Sequence, residues 1–249
     1  GAWGTALACI ASRAGCNVII WAHETEIVDA ININNLNPVY LPGVDLEPNI
    51  EATSDTARAI DVDAVLIVTP AQFLRSTTDR LAKDWGDGIP AVLCSKGIES
   101  GTLMMMNEVV SETLPDIPIA VLSGPTFAIE VARGQPAAAT LAVANSDLQN
   151  ALVKALTSPR FRLYKSDDII GAEVGGLVKN VLAIACGISE GRKLGYNARA
   201  ALITRGLSEI IRLGLAKGGK LETFMGLSGL GDLTLTCNAM QSRNFSLGV

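Results

Sequence analysis

Three short apolar runs, Asp63–Val68 (DAVLIV), Ala91–Ser95 (AVLCS) and Ile119–Leu122 (IAVL), show no alternation of polar and apolar residues. A strand with one face in water alternates, so runs without alternation predict strands covered on both faces. Strands covered on both faces belong to a parallel sheet, so intervening crossover helices are expected. Trp3–Arg13 reads as a helix that stops at Gly15, followed by a strand over Asn17–Ala22 and a polar helix from about Glu24. The segment NPVYLPGVDLEPNI is rich in Pro and Asn and reads as irregular. Strand-like Ala137–Ala144 and Phe161–Tyr164 flank a helix near Leu148–Leu156.

From Asp168 onward the pattern is almost wholly helical, with glycine-rich interruptions. The expected organisation is an α/β, Rossmann-like nucleotide-binding domain over residues 1–166 and a helical substrate domain over 167–249. Ile169–Ile188 is long enough to cross a bilayer, but it carries Glu173, Lys179 and Asn180. Each is costly in lipid, so a helix buried in a soluble protein is expected rather than membrane insertion.

Apolar residues make up 49% of the 249, which excludes a disordered chain. A net charge of −5 argues against a general nucleic-acid binder. The five cysteines, Cys9, Cys16, Cys94, Cys186 and Cys237, contain no C-x-x-C pair. Neither a disulfide framework nor a metal site is expected, and a reducing cytoplasm is the expected location.

Gly1-Ala2-Trp3-Gly4 matches the last four positions of the dinucleotide fingerprint G-x-G-x-x-G and opens a helical run. The first strand and first glycine are expected before Gly1. In such folds an acid near the end of the next strand receives a ribose hydroxyl, or a basic group receives a 2′-phosphate. Glu24 lies about 20 residues past Gly4, and His23, the single histidine, precedes it. His23 favours the phosphorylated cofactor; otherwise it is a solvated loop residue.

Lys179 and Asn180 sit between the apolar flanks VGGLV and VLAIACGI. Desolvation penalises a buried ammonium, so Lys179 is either a proton-transfer group with a depressed pKa or a lysine snorkelling to solvent. Asp232 in GLGD reads as turn chemistry or as a functional acid. Ser242-Arg243-Asn244 reads as a phosphate-binding set or a solvated turn.

Taken in order, GAWGTAL, NNLNPVYLPGV, SKGIE, LSGPTFAIEV, SDDIIGAEVGGLVKNVLAIACGI, GYNARAALITRG, FMGLSGLGDLTLTC and SRN resemble bacterial NAD(P)-dependent glycerol-3-phosphate dehydrogenases. Against the typical pattern, both ends look cut, with further residues expected after Val249. The resemblance implies interconversion of dihydroxyacetone phosphate and sn-glycerol 3-phosphate for phospholipid synthesis, with NADP or NAD and NADPH favoured. It implies a small-molecule substrate, no metal and a homodimer. It places Trp3, His23, Lys96, Ala128 and Arg243 at the cofactor, with Lys179 as proton acceptor in the oxidation direction. Lys96, Gly124, Thr126, Lys179, Asp232, Ser242, Arg243 and Asn244 are implied at the substrate. A carboxylate-specific hydroxyacid dehydrogenase and a catalytically inert nucleotide sensor are the competing readings. SRN disfavours the first, and Lys96, Lys179 and Asp232 disfavour the second.

Overall fold

The computed structural model describes residues 1–249. Its contacts cluster into two compact units. The first comprises Gly1–Ala120, Ala128–Ala137 and Ser146–Leu163; the second comprises Val121–Phe127, Ala138–Asn145 and Tyr164–Val249.

The chain opens with α1 (Ala2–Arg13), β1 (Val18–Trp21) and α2 (Thr25–Asn34), then β2 (Ile50–Thr53) and α3 (Thr56–Ile60). Next come β3 (Val65–Ile67), α4 (Leu74–Ala82), β4 (Ala91–Leu93), α5 (Met106–Thr113) and β5 (Ile119–Ser123). There follow α6 (Ala128–Ala132), β6 (Ala137–Val143), α7 (Ser146–Leu156) and β7 (Phe161–Ser166). The remainder is helical: α8 (Ile169–Gly191), α9 (Gly195–Ala216), α10 (Leu221–Phe224), a π-helical turn (Leu227–Gly231), α11 (Asp232–Asn238) and α12 (Arg243–Gly248).

The strands form a β1–β2 pair and a five-stranded sheet in the order β3-β4-β5-β6-β7. β1 and β2 run parallel, with Val18 opposite Ile50 and Trp21 opposite Thr53. β3 and β4 are also parallel, with Val65 opposite Ala91. The residues of β4 are buried throughout, as a run without alternation requires. Strand β2 begins at Ile50, the last residue of the stretch expected to be irregular, where no strand was expected. Its four residues IEAT bury only Ile50 and Ala52, too short a pattern to stand out beside Pro- and Asn-rich neighbours.

Helix α1 is buried on every side from Thr5 to Ser12. Ala, Cys, Leu and Ile fill that stretch, and the apolar surround accounts for the absence of a polar face. Its last residue, Arg13, donates to the carbonyls of Val131 and Ala132 at the end of α6 and pairs with Glu47. A cation there satisfies carbonyls that the helix itself leaves without partners.

In the second unit α8 is the central element, packed against α9, α10, α11, α12 and the π-helical turn. It is the one helix long and apolar enough to cross a membrane. Its charged residues Glu173 and Lys179 are nevertheless buried within this unit. Asp168 caps α8, accepting from Gly171 N at 2.8 Å, and accepts from Lys220 N at 2.8 Å. One carboxylate thereby starts the helix and fixes the turn before α10. A Cβ on Gly175 would lie 2.4 Å from the Ser228 carbonyl oxygen, and one on Gly187 would lie 2.1 Å from that of Phe245. Only glycine at these positions lets the π-helical turn and α12 rest directly on the α8 backbone.

Candidate active site

The first unit holds the dinucleotide candidates. Trp3 lies in the first turn of α1, where Thr5 N donates to Gly1 O as the first backbone bond of the helix. The amides of Ala2, Trp3 and Gly4 precede that bond, so they face outward at the positive end of a 12-residue helix. Such an end receives a pyrophosphate. His23 and Glu24 follow β1 and are exposed. A glycine-opened helix followed by a strand with an acid at its end fits a dinucleotide. Lys96 is half-buried two residues beyond the Ala91–Ser95 run's buried Cys94, and Ser95 Oγ beside it donates to Thr69 O at 2.5 Å. Ala128 is the first residue of α6.

The second unit holds the proton-transfer candidates. Lys179 on α8 and Asp232 at the start of α11 meet, with Nζ donating to Oδ1 at 2.5 Å. Their side chains are 11% and 2% exposed, so the pair is removed from water. Lys179 Nζ also reaches Thr236 Oγ1 at 3.2 Å, and Thr236 Oγ1 donates to the Asp232 carbonyl at 2.7 Å. Burial alone favours the neutral amine, whereas a carboxylate at this distance favours the ammonium. Reading Lys179 from its apolar flanks alone leaves that carboxylate out, whereas the resemblance implies Asp232 as its assistant.

Thr236 was not among the sequence candidates. Its spacing of four residues from Asp232 on one helix face is the signal that could have found it. The π-helical turn before Asp232 is a second marker, because such bulges gather at functional sites.

The Gly124–Thr126 loop also belongs to the second unit. Thr126 Oγ1 donates to Gly124 O at 3.3 Å. A Cβ on Gly231 would lie 3.6 Å from Pro125 Cγ, which sets this loop beside the turn leading into Asp232. Gly124 itself has no room for a side chain, since a Cβ there would lie 2.9 Å from Ala139 Cα.

Ser242 is buried and caps α12, accepting from Phe245 N at 3.3 Å. Its hydroxyl thus has a structural task that the sequence left open. Arg243 is exposed and Asn244 half-buried on the first turn of α12. Gly187, where α12 rests on α8, is eight positions beyond Lys179, about 12 Å along the helix. The structure thus joins Lys179 to Asp232, and the Gly124–Thr126 loop to the approach to Asp232. Trp3, His23, Lys96 and Ala128 belong to the other unit.

A nucleotide-binding α/β unit combined with a helical unit that buries a lysine–aspartate pair defines a nicotinamide-dependent dehydrogenase class. The profile described as "NAD-dependent glycerol-3-phosphate dehydrogenase N-terminus" matches residues 1–149, and the corresponding C-terminus profile matches 168–249. The chain belongs to the NAD-dependent glycerol-3-phosphate dehydrogenase family. A relative from Paramagnetospirillum magneticum named glycerol-3-phosphate dehydrogenase [NAD(P)+] is 61% identical, over 99% of this chain and 90% of its own. One of the same name from Rhodospirillum rubrum is 57% identical, over 100% of this chain and 71% of its own. The crystal structure of glycerol-3-phosphate dehydrogenase from Coxiella burnetii superposes with a TM-score of 0.95 at 44% identity. That match covers 100% of this chain and 76% of the other.

Proposed function

We propose that this protein interconverts dihydroxyacetone phosphate and sn-glycerol 3-phosphate with NAD(P)H, in the cytoplasm and as a homodimer, and so supplies glycerophospholipid synthesis. Residues up to about 166 bind the dinucleotide and residues 167–249 carry the substrate. The single observation that carries the reading is the buried Lys179–Asp232 contact at 2.5 Å within an otherwise apolar helix of a family dehydrogenase.

The cofactor, when bound, supplies or accepts the hydride at the substrate's central carbon. Trp3, His23, Lys96, Ala128 and Arg243 hold it, with His23 favouring NADPH through the 2′-phosphate. Lys179 gives a proton to the carbonyl oxygen as that carbon is reduced, and takes it back in the oxidation. Asp232 and Thr236 hold Nζ in place, so little reorganisation is needed as charge develops. Lys96 adds positive charge near the developing alkoxide. Arg243, Asn244 and Ser242, with Gly124 and Thr126, hold the substrate, and the guanidinium fork suits the phosphate. Anchoring a remote phosphate turns a bimolecular encounter into a positioned one.

The test is NADPH and NADH consumption by the full-length protein with dihydroxyacetone phosphate. A non-phosphorylated or carboxylate analogue serves as the control substrate. Turnover with the phosphate ester alone is the expected result, and preference for a 2-oxoacid would overturn the proposal.

A further inference from the structure

We infer that Arg199 is a positioning residue for the substrate's phosphate, acting through Phe245 on the segment that carries Arg243 and Asn244. This inference rests on the dehydrogenase reading above and adds a residue to the phosphate end of that site.

Arg199 lies in the second turn of α9, and its side chain is 14% exposed. Its Nη1 donates to Glu190 Oε2, in the last turn of α8, at 2.9 Å. The guanidinium carbon lies 5.9 Å from the centre of the Phe245 ring on α12 and 5.0 Å from that of the Tyr196 ring. One planar cation therefore joins α8, α9 and α12. Arginine suits this task, because a guanidinium stacks on rings and directs hydrogen bonds in its own plane. Its charge is taken up by Glu190, so it acts by holding the ring rather than as a further phosphate ligand.

The need for such a contact follows from the size of α12. It has six residues, and so short a helix does not hold its own geometry. A Cβ on Gly248 would lie 2.2 Å from the Ile184 carbonyl oxygen, so α12 rests on α8 there as it does at Gly187. Phe245 is the one residue that α12 buries, at 2% exposed. The ring therefore sets the rotation of α12 about its axis, and Arg199 is the cation stacked on that ring. Arg243 and Asn244 immediately precede Phe245, so a turn of the ring swings both. A displacement of about 1 Å in an anchoring group costs up to roughly 10²-fold.

The experiment measures KM and kcat for dihydroxyacetone phosphate, inhibition by inorganic phosphate against that substrate, and NADPH affinity by fluorescence titration. It compares the full-length wild type with Arg199→Met, Arg199→Lys and Arg243→Met, with a melting curve for each. Arg199→Met is expected to raise KM and the phosphate inhibition constant together by about 3- to 30-fold, the range of a cation–ring contact. Turnover and NADPH affinity are expected to change by less than about twofold. Arg199→Lys keeps the cation but not the planar fork, and is expected to raise the same two constants by about 2- to 5-fold. An unmoved KM in either variant once folded, or a parallel loss of substrate affinity, turnover and NADPH affinity, would overturn the inference. If Arg199→Met does not fold, Arg199→Lys decides on the same terms. Unchanged phosphate inhibition in Arg243→Met, or a wild type that does not turn over dihydroxyacetone phosphate, would overturn the dehydrogenase reading instead.

Discussion

Removing the charge of Lys179 acts on two quantities at once, proton transfer and the solvation of Asp232. Lys179→Met keeps the aliphatic length but takes away the transferable proton, so turnover is expected to fall at least about 10²-fold while dinucleotide affinity barely moves. It also leaves the Asp232 carboxylate buried without its cation, which costs about 3–5 kcal/mol in comparable pairs. The melting temperature therefore drops in the single variant and recovers in Lys179→Met/Asp232→Asn, while turnover stays lost in both. Near-normal turnover in a folded Lys179→Met protein would assign the lysine a structural role only. At the other unit's strand end, His23→Ala is expected to weaken NADPH binding more than NADH binding; equal losses in two titrations would make it a solvated loop residue. Lys179, His23 and Glu24 stand out in the sequence as candidates because each residue type is conspicuous in its local setting. Thr236 does not, since a threonine on a helix acquires meaning only from a partner 57 residues away.

The elements that hold these side chains were legible wherever a pattern was long. The central apolar helix and the buried runs of the sheet stand out by length and periodicity. The helices α3, α4 and α5 did not, nor did β2. Helix α3 has five residues, and α4 is polar on most of its surface, burying only Leu74, Thr78 and Leu81. What no periodicity carries is backbone-to-backbone contact. The closeness of Gly175 to the Ser228 carbonyl seats the π-helical turn that ends one residue before Asp232. Gly175→Ala must push that turn away, at a cost of about 1–3 kcal/mol for overpacking. Because Asp232 moves with the turn, turnover should fall while NADPH affinity is preserved. Gly231→Ala is the control: its nearest neighbour would be 3.6 Å away, so its melting temperature should change far less. Equal stability of the two variants would show that the turn does not depend on the α8 backbone.

Across the whole molecule, titrating groups bend the stability in opposite directions at the two ends of the pH scale. Hydrogen bonds from Arg75 and then Thr102 hold Glu99 below the carboxylate range, and Lys220 does the same for Asp167. A carboxyl depressed by folding stabilises the native state above its unfolded pKa, near 4. That stabilisation disappears as pH falls through the folded value. Thiols act in the reverse sense. Burial pushes Cys9 and Cys94 up to about 12 and raises Cys186 and Cys237 as well. Above about pH 8.5 the unfolded thiols lose protons that the folded ones retain, so stability falls with rising pH. The expected profile is a plateau from about pH 5 to 8.5 with a decline on either side. Denaturant midpoints from pH 3.5 to 10 measure it. Glu99→Gln should lower the plateau and flatten the acid limb, because the variant has no carboxylate to lose. Cys94→Ala should flatten the alkaline limb and leave the acid limb unchanged. An alkaline limb that persists at full slope in Cys94→Ala, Cys9→Ala and their combination would remove the buried thiols as its cause and leave lysine deprotonation, with Lys220 beside Asp167 the first pair to test.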